Sequence, residues 1–388
     1  MRKKNKEVSF SMKIAIVHDY LIDSGGAERV LLALCEIYPD APVYTLIYRK
    51  EKMGYLRDKF DNIKIIQSWF GRLPFADKLI SPLRFLIPTI WKSIDLTSYD
   101  LIISSASWAI TKGFDKKDGA IEICYCHTPP RYLYGFDTSR KFTGLMGKLV
   151  KFYGLIVNHF MRKYDFNQAQ KVDYFIANSK EVAGRIQKFY HRDSIVIYPP
   201  IELAGSNKPL DISRDYYLAG GRLVSSKNFD LIIKTFNKLK LPLKFYGSGP
   251  ASESLKAISG PTIQVLGRVS DEKMAELFAG AKAYMLAEKD EDFGMTPVEA
   301  MSFGTPVIAF KGGGYLESVI DGKTGVFFDE LTIESLSKAI KHFGGLNNRS
   351  ITAENCINQA KKFSKERFKK EIKSFVEKCN LLAKYSLG

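Results

Sequence analysis

The segment Glu291-Asp-Phe-Gly-Met-Thr-Pro-Val-Glu299 decides the fold, because a strand-like run precedes it and a helix-like run follows it. The run from Lys282 to Ala287 predicts a buried strand, and the run from Val298 to Phe303 predicts a helix. Such a strand–loop–helix unit places Glu291 and the backbone N–H groups of 293–296 at the carboxyl edge of a parallel sheet, where α/β folds bind ligands. Two carboxylates could hold two sets of hydroxyl groups, and the helix N-terminus between them suits a phosphate. This combination is typical of a nucleotide-sugar site.

The first half of the chain alternates strand-like and helix-like runs, which predicts a doubly wound parallel sheet. The predicted strands are Lys13 to Asp19, Pro42 to Tyr48, Ile63 to Gln67, Leu101 to Ser105, Ile121 to Cys126, Tyr174 to Asn178 and Ile195 to Tyr198. A helix is predicted from Ala27 to Tyr38, directly after Gly25-Gly26. The turn-rich stretch from Pro199 to Pro209 is interpreted as a linker.

The alternation restarts after this linker and predicts a second Rossmann-like sheet. Its predicted strands are Tyr216 to Ala219, Leu243 to Tyr246, Ile263 to Leu266, Ala281 to Ala287, Val307 to Phe310 and Val326 to Phe328. Helices are predicted from Asn228 to Leu239 and, in the tail, from Ser364 to Ala383. We therefore expect a domain over 1–203, a second domain over 204–362 and a terminal helix within 363–388 that packs back towards the first domain.

The composition is that of a globular chain with an unusual positive charge. The chain has 388 residues, of which 45% are hydrophobic and 26% charged, and this length predicts two domains. No apolar run of about 20 residues occurs, so no transmembrane helix is expected, and the basic segment from Met1 to Phe10 lacks the apolar region of a signal peptide. Five scattered cysteines form no metal-ligand spacing and fit a reducing cytoplasm. They are Cys35, Cys124, Cys126, Cys356 and Cys379.

The net charge of +16 is concentrated in the first half of the chain. Residues 1–200 contain 31 Lys and Arg against 20 Asp and Glu, which gives +11, and the remaining 27 and 22 give +5. Nucleic acid, anionic lipid and phosphorylated substrates are all partners that such a charge suits. A lysine-rich surface in contact with water only is the alternative.

Two cations follow the first predicted strand of the second domain. Arg222 and Lys227 lie on either side of a turn before the helix from Asn228, where they could neutralise a diphosphate; a pair of surface charges is the alternative. Gly25-Gly26 lies at the corresponding turn of the first domain and would allow a close approach to a bound group, or form a plain tight turn. This turn lacks the dinucleotide G-x-G-x-x-G pattern, which disfavours NAD.

Two histidines end predicted strands of the first domain. His127 follows the strand from Ile121 and precedes Thr-Pro-Pro, so it should project towards a cleft between the domains, where imidazole can hydrogen-bond a sugar hydroxyl. His18 is a second candidate of the same kind. A packed or capping histidine is the alternative for both. Asp290 and Asp292 could bind a divalent ion beside a diphosphate, but Arg222 and Lys227 already supply positive charge there, so no metal is expected.

Two apolar stretches in the basic half suggest contact with a membrane surface. The stretch from Leu79 to Trp91 is strongly apolar, and the stretch from Lys141 to Lys163 mixes aromatic and basic residues. A helix of this composition can lie in the plane of an anionic membrane. A core-facing helix whose lysines point to water is the alternative.

The motifs resemble those of the retaining family 4 glycosyltransferases with the GT-B fold, and particularly the WbaZ-type mannosyltransferases of bacterial surface-polysaccharide assembly. The resemblance covers nearly the whole chain. The matching motifs are His18-Asp-Tyr20, Gly25-Gly-Ala-Glu-Arg29, Cys124-Tyr-Cys-His-Thr-Pro-Pro-Arg-Tyr132, Phe175-Ile-Ala-Asn-Ser179, Ile197-Tyr-Pro-Pro200, Gly267-Arg-Val-Ser-Asp271, Glu291-Asp-Phe-Gly294 and Gly304-Thr-Pro306. The fold implied is two Rossmann-like domains that face each other across a cleft.

The resemblance implies a role for each candidate residue. Those expected to bind the donor are Gly26, Arg222, Lys227, Arg268, Glu291, Phe293, Gly294, Met295, Thr296 and Glu299. Arg222 and Lys227 would hold the diphosphate, Glu299 the ribose and Glu291 the donor sugar. His127, Glu291, Arg222 and Lys227 are expected to act in catalysis, and Gly25, Arg131 and Tyr132 to contact the acceptor. Asn228 departs from the family, where glycine or arginine is common after the phosphate lysine.

The same resemblance implies a metal-independent hexosyltransferase without a cofactor. The expected donor is GDP-mannose, and the expected acceptor is a polyprenyl-diphosphate-linked glycan, as in lipopolysaccharide assembly. The expected location is the cytoplasm, peripheral on the inner face of the cell membrane, with the first domain facing the membrane. A UDP-sugar donor and a nucleotide-sugar epimerase or hydrolase of the same fold remain alternatives. A nucleic-acid-binding protein is disfavoured because the sequence has no recognition motif and its glutamate-rich site would repel phosphates.

Overall fold

The computed structural model describes residues 12–136, 144–204, 213–346 and 350–385. Thus 205–212 of the predicted linker, 141–143 of the predicted membrane-contacting stretch and the basic segment 1–10 lie outside the described residues. The described chain forms two parallel sheets, one in each half.

The first sheet has seven strands among the described residues, and its strand order is β3-β2-β1-β4-β5-β6-β7. These strands are β1 (Ile14–His18), β2 (Val43–Thr45), β3 (Ile65–Gln67), β4 (Leu101–Ala106), β5 (Ile121–Cys126), β6 (Tyr174–Ala177) and β7 (Ser194–Val196). Every pair is parallel, and the central strand β4 pairs with both β1 and β5. Strands buried on both faces require continuous apolar runs, which is the pattern that the sequence has.

The second sheet has six strands within the described ranges, in the order β10-β9-β8-β11-β12-β13. They are β8 (Tyr216–Arg222), β9 (Leu243–Ser248), β10 (Ile263–Gly267), β11 (Ala281–Leu286), β12 (Val307–Phe310) and β13 (Gly325–Phe328). The strand β8 runs past the predicted end at Ala219, because Gly220 and Gly221 pair with Tyr246 and Gly247 of β9. Arg222 therefore ends a strand, whereas the sequence predicted that it follows one.

Helices cover the faces of the two sheets. In chain order they are α1 (Gly26–Ile37), α2 (Ala76–Leu79), α3 (Ile87–Lys92), α4 (Gly144–Lys171), α5 (Lys180–Tyr190), α6 (Phe229–Leu239), α7 (Ser252–Ala257), α8 (Asp271–Ala279), α9 (Met295–Ser302), α10 (Tyr315–Ser318), α11 (Ile333–Gly345), α12 (Ala353–Lys361) and α13 (Lys365–Tyr385). Short 3-10 helices span Lys50–Lys52, Gly54–Phe60, Phe70–Arg72, Arg84–Leu86, Arg131–Leu133 and Ser225–Lys227. None of the described helices combines the length and the apolar character that crossing a membrane requires.

The last helix, α13, returns to the first domain, as predicted. Phe368, Ile372, Val376 and Cys379 of this helix are buried in the core that β1 and α1 share. Lys365 and Lys369 add ion pairs to Glu36 of α1. Burial of apolar side chains, at about 25 cal/mol per Å², makes the larger contribution, because exposed ion pairs contribute little. The first and last described elements, β1 and α13, therefore both lie in the first domain.

The two sheets direct the carboxyl ends of their central strands towards each other. Loops after β1 and β5 of the first sheet meet the end of β8 and the loop after β11 of the second. Side chains of the two domains pair across this cleft, including Arg222 with Asp23, Arg131 with Glu288, and Arg29 with Glu299. The ligand site was predicted at the carboxyl edge of the sheets. In the structure this edge is a cleft between the two domains, with charged groups on both sides.

Candidate functional site

Glu291 lies at the centre of a cluster of charged side chains after β11. The Nζ atom of Lys227 lies 3.3 Å from Oε2 of Glu291 and 2.9 Å from Oε2 of Glu288. The hydroxyl of Tyr315 donates to Oε2 of Glu291 at 3.3 Å. One lysine therefore joins two carboxylates that lie three residues apart in the same loop.

Burial and charge shift the pKa values of this cluster in opposite directions. Burial raises the pKa of Glu288, and the neighbouring Glu291 carboxylate raises it further. Burial also acts to raise the pKa of Glu291, but Lys227, the hydrogen bond from Glu288 and the charge of Arg131 lower it below its ordinary value. Burial acts to lower the pKa of Lys227, whereas both carboxylates raise it, so the lysine stays charged. Two carboxylates this close favour sharing one proton, which falls on Glu288.

The loop that carries Glu291 depends on Gly294. This residue adopts φ +78°, and a Cβ atom there would lie 2.7 Å from the ring of the buried Tyr315. The N–H of Gly314 donates to the carbonyl of Glu291 at 2.9 Å, which fixes the other side of the loop. The Phe293 side chain is buried against Tyr198 and Phe363, so only its backbone is free to face a ligand. The Phe-Gly pair of the motif therefore anchors the loop and turns it.

Two arginines of the first domain brace the same loop. Arg131 contacts Glu288 at 3.3 Å and Asp292 at 2.9 Å, and it donates to the Asp290 carbonyl at 2.5 Å. Arg185 of α5 pairs with Asp292 and donates to the Asp290 carbonyl at 3.2 Å. Arg131 was predicted to contact the acceptor. In the structure its side chain contacts the loop after β11, and its acceptor role stays a prediction. Both arginines therefore contact the carboxylate of Asp292 and the backbone carbonyl of Asp290.

The first turns of α1 and α9 contact each other across the cleft. A Cβ atom on Gly26 would lie 2.7 Å from the sulfur of Met295, so only glycine permits this approach without displacing the methionine. The N–H of Gly25 donates to Oε2 of Glu28 at 2.8 Å. Thr296 is half-buried on α9. Two helix N-termini from different domains thus bring Gly26 and Met295 into contact, with Gly25 and Thr296 next to them in the chain.

The cations and carboxylates predicted to hold the nucleotide are paired with the opposite domain. Nη2 of Arg222 lies 2.8 Å from Oδ2 of Asp23, and both side chains are about half exposed. Glu299 forms an ion pair with Arg29 of α1. The guanidinium of Arg268 lies near Gly54, within 3.1 Å of the position of an added Cβ atom. All three predicted donor residues therefore line the cleft and face the first domain.

His127 belongs to a buried network with the second candidate, His18. The hydroxyl of Ser105 lies 2.8 Å from Nε2 of His127 and 2.9 Å from Nδ1 of His18, so it links the two rings. Nε2 of His18 lies 3.9 Å from Oε1 of Glu28. Burial, with a smaller effect of His18, lowers the pKa of His127 to about 4. His127 is therefore neutral near pH 7, which suits hydrogen bonding rather than proton transfer.

Several residues of the cleft were not found from the sequence. Glu288 lies in the same loop after β11 as Glu291, so the rule that found one carboxylate could have found the other. Arg29 lies within a quoted motif, but nothing in the sequence showed its contact with Glu299. Arg185 lies in the middle of a helix and gave no signal at all. Among the described residues, no group of three or more His, Cys, Asp and Glu is arranged to hold a metal ion.

The second domain is similar to a known protein family. Residues 207–363 match the family described as glycosyl transferases group 1. An uncharacterised glycosyltransferase of Methanocaldococcus jannaschii is 28% identical over 224 residues, 55% of this chain and 62% of that protein. The alpha-1,3/1,6-mannosyltransferase of Schizosaccharomyces pombe is 24% identical over 376 residues, 81% of this chain and 70% of that protein.

A solved structure extends the similarity to the whole chain. The structure of Anabaena Alr3699/HepE in complex with UDP and glucose has a TM-score of 0.68 and 19% sequence identity, and the match covers 95% of this chain and 100% of that chain. This likeness confirms the predicted GT-B fold of two facing Rossmann-like domains. The family match and the fold together support a glycosyltransferase of group 1.

Proposed function

We propose that the chain, as a glycosyltransferase of group 1, moves a hexose from a nucleotide sugar to a lipid-linked glycan with retention of configuration. The observation that carries this proposal is the position of Glu291 and Lys227, at the carboxyl end of β11 and beside the N-terminus of α9, opposite Gly26 of the other domain. A carboxylate for hydroxyls, a cation for phosphate and a free helix N-terminus converge there.

The donor would lie along this side of the cleft. Glu291 would hold the hydroxyls of the sugar and Glu299 those of the ribose, while Lys227, Arg222 and the N–H groups at the start of α9 would hold the diphosphate. Arg222 pairs with Asp23 and Glu299 with Arg29, so a bound donor would take the place of these partners. Such an exchange couples binding of the donor to movement of the two domains.

Transfer would follow a front-face route. The bond between the anomeric carbon and the diphosphate oxygen breaks, and the oxygen of the acceptor hydroxyl forms the new bond on the same face. The hydroxyl proton passes to the leaving phosphate oxygen. Arg222, Lys227 and the α9 N-terminus stabilise the negative charge that develops on the diphosphate. Neutral His127 would hydrogen-bond the sugar without taking a proton, and the reaction would need no metal ion or cofactor.

The identity of the donor rests on resemblance alone. The motifs and the mannosyltransferase relative favour GDP-mannose. The similar fold that binds UDP and glucose supports a UDP-sugar as the second candidate. The acceptor would be a polyprenyl-diphosphate-linked glycan of bacterial surface-polysaccharide assembly, such as lipopolysaccharide.

A panel of donors tests this proposal most directly. Purified protein would be incubated with GDP-mannose, UDP-glucose, UDP-galactose and ADP-glucose, with and without octyl glycosides as acceptors, and the products analysed by mass spectrometry. We expect transfer with one donor class and slow donor hydrolysis without acceptor. Epimerised donor would favour the epimerase alternative, and hydrolysis that no acceptor converts to transfer would favour the hydrolase. If no donor is consumed under any condition, the proposed activity is wrong.

The exposed face of α4 supports attachment to an anionic membrane on the cytoplasmic side. Phe152, Leu155 and Phe160 are 64%, 73% and 67% exposed on this helix. Exposed Lys148, Lys151 and Lys163 flank them, and the exposed Phe75 and Phe85 lie in the segment before β4. Apolar side chains with lysines around them suit insertion into the headgroup region of a membrane.

Vesicle flotation tests the membrane contact. We expect binding to vesicles that contain phosphatidylglycerol, none to pure phosphatidylcholine, and release by salt. The double substitution Phe152→Ser and Phe160→Ser should abolish binding, whereas Leu382→Ser, at a half-exposed leucine of α13, should not. If the double variant floats like the native protein, α4 is not the contact. A gel-shift assay at physiological salt would detect the nucleic-acid alternative.

A further inference from the structure

We propose that Tyr20, Trp108 and Tyr132 form a stacking platform for the acceptor sugar, on the first-domain side of the cleft. We call these three side chains the aromatic platform. The inference rests on the proposed glycosyl transfer and assigns the part of the site that receives the glycan. Only Tyr132 was among the residues predicted from the sequence to contact the acceptor.

Topology brings the three rings together. Tyr20 follows β1, Trp108 follows β4 and Tyr132 follows β5, and these three strands are neighbours in the sheet. The loops after adjacent parallel strands meet at one edge, so rings that are far apart in sequence become neighbours. That edge is the one that carries His18 and His127.

The rings form a continuous and partly exposed surface. The ring centroids of Tyr20 and Trp108 lie 6.0 Å apart at 64°, and those of Trp108 and Tyr132 lie 5.3 Å apart at 38°. Each of the three residues is half-buried. An aromatic face is apolar and slightly negative, and therefore attracts the C–H face of a sugar ring while the hydroxyls at the rim remain free.

The loop that carries Trp108 is held unusually firmly. The carboxylate of Asp19 accepts hydrogen bonds from the N–H and hydroxyl of Ser107, the N–H of Ala109 and the hydroxyl of Thr111. Ile110 adopts φ +55°, a left-handed conformation that a β-branched residue rarely adopts. Backbone strain of this kind persists where surrounding bonds enforce it, and it is concentrated at functional sites. Trp108 is thus presented to the cleft by a strained loop that Asp19 fixes.

Tyr132 connects the platform to α4. The guanidinium of Arg84 lies over the rings of both Tyr132, at 5.5 Å, and Tyr153, at 4.5 Å, and it donates to Oδ1 of Asn158 at 2.9 and 3.0 Å. The Tyr132 hydroxyl is buried without a hydrogen-bond partner among the described residues. A buried hydroxyl without a partner is costly and typical of a site that a ligand or water completes. Arg84 links Tyr132 to Asn158 of α4, the helix that we propose contacts the membrane. A lipid-linked glycan would therefore reach the platform from the side of α4.

Tyr20 connects the platform to the donor side. Burial raises the pKa of Tyr20, as do the carboxylates of Asp19 and Glu28, while Arg222 of the second domain lowers it. Arg222 also pairs with Asp23, three residues after Tyr20, which places its guanidinium on this side of the cleft. A sugar on the platform would lie between the first-domain histidines and the proposed diphosphate site, where its hydroxyl could reach the anomeric carbon.

Substitution of Trp108 tests the platform. Trp108→Ala and Trp108→Phe would be compared with the native protein, with the octyl glycosides as acceptors. We expect the KM for the acceptor to rise about 3- to 10-fold in Trp108→Ala and to be largely restored in Trp108→Phe, because stacking on an aromatic face is lost and regained. The KM for the donor and the rate of donor hydrolysis without acceptor should stay within about 2-fold. The control is Trp69→Ala, which removes an exposed tryptophan elsewhere on the first domain.

Tryptophan fluorescence gives a second measurement that does not depend on turnover. In a Trp69→Phe background two tryptophans remain, Trp91, which is buried, and Trp108, which is half-buried. We expect octyl glycosides to quench or shift the emission, and the effect to vanish when Trp108→Phe is added. An unchanged acceptor KM in Trp108→Ala, or a fluorescence change that persists without Trp108, overturns the platform. Failure of the native protein to consume any donor would instead overturn the proposed function, so the two failures are distinguishable.

Discussion

Arg29, on the first helix of the first domain, forms an ion pair with Glu299 on α9 of the second domain. The Nε of Arg29 also donates to the hydroxyl of Tyr55 at 2.7 Å, which orients the guanidinium towards the cleft. The charge of Glu299 raises the pKa of Arg29, so the guanidinium stays charged. The carboxylate that we assign to the ribose is thus paired with a cation of the opposite domain.

Replacing Arg29 should therefore strengthen donor binding. In Arg29→Leu the Glu299 carboxylate has no competitor, and we expect the Kd for GDP or UDP to fall roughly 2- to 5-fold, the range of a partly exposed ion pair. Calorimetric titration measures this change. Glu299→Gln should weaken binding, and Tyr55→Phe, which keeps the guanidinium, should have little effect. Weaker binding in Arg29→Leu would mean that Arg29 contacts the nucleotide itself.

Arg222→Ala should lower kcat by about 100- to 1,000-fold, because a cation that stabilises the leaving diphosphate is lost from the transition state. Steady-state kinetics with saturating donor measure the change. The matched control is Asp23→Asn, which removes the negative charge that is paired with Arg222. Its kcat should stay within a few-fold of the native value. Near-normal turnover in Arg222→Ala would exclude the proposed role.

Gly294→Ala should destabilise the second domain. The new Cβ atom would lie 2.7 Å from the ring of Tyr315, at a residue with φ +78°, and overpacking with backbone strain costs about 1–3 kcal/mol. Denaturant unfolding measures the loss. Gly184→Ala is the control, since no atom lies within 4 Å of its Cβ position in α5 and alanine favours a helix. Equal stabilities for the two variants would show that the loop tolerates a side chain.

The buried His127 should make stability depend on pH in a defined window. Its pKa falls from 6.5 to about 4 on folding, so between these values the unfolded chain binds more protons and stability rises with pH. The full effect is about 3 kcal/mol at most, lost as pH falls from 6.5 to 4. His127→Asn should show a flatter profile over this range in urea unfolding, whereas His159→Asn, at an exposed histidine, should keep the native slope. A native slope in His127→Asn would place the titration on another group.

The strands were predictable because a buried parallel strand is a continuous apolar run. Each strand in the described ranges falls on a predicted one, but the ends differ for physical reasons. Leu46 and Ile47 were predicted to extend β2 and are buried outside it, because hydrophobicity reports burial and not pairing. Gly220 and Gly221 were predicted to follow the strand that ends at Ala219 and instead pair with β9, because glycine suits an extended strand where another backbone approaches closely.

The site was predictable only as far as strand ends reveal it. The sequence located Glu291, Lys227, Arg222 and His127, since each lies near the end of an apolar run. It could not show that Arg29 meets Glu299, or that Trp108 meets Tyr20 and Tyr132, because these contacts join segments that the fold alone brings together. Charge pairing across a cleft and the clustering of rings leave no periodic signal in a sequence.

The return of α13 to the first domain gives the hinge two connections instead of one. The chain leaves the first domain before Ile201 and re-enters it at Ser364, and these two residues form a parallel bridge, with the N–H of Ile201 donating to the Phe363 carbonyl at 3.0 Å. Tyr198 and Phe293 pack against Phe363 at the same place. Any rotation of the second domain must bend both crossings together, so sliding and twisting are resisted while swinging about the line of the crossings is permitted. The two domains should therefore open and close along a single path. The donor and the acceptor would then meet in the same relative orientation at every turnover.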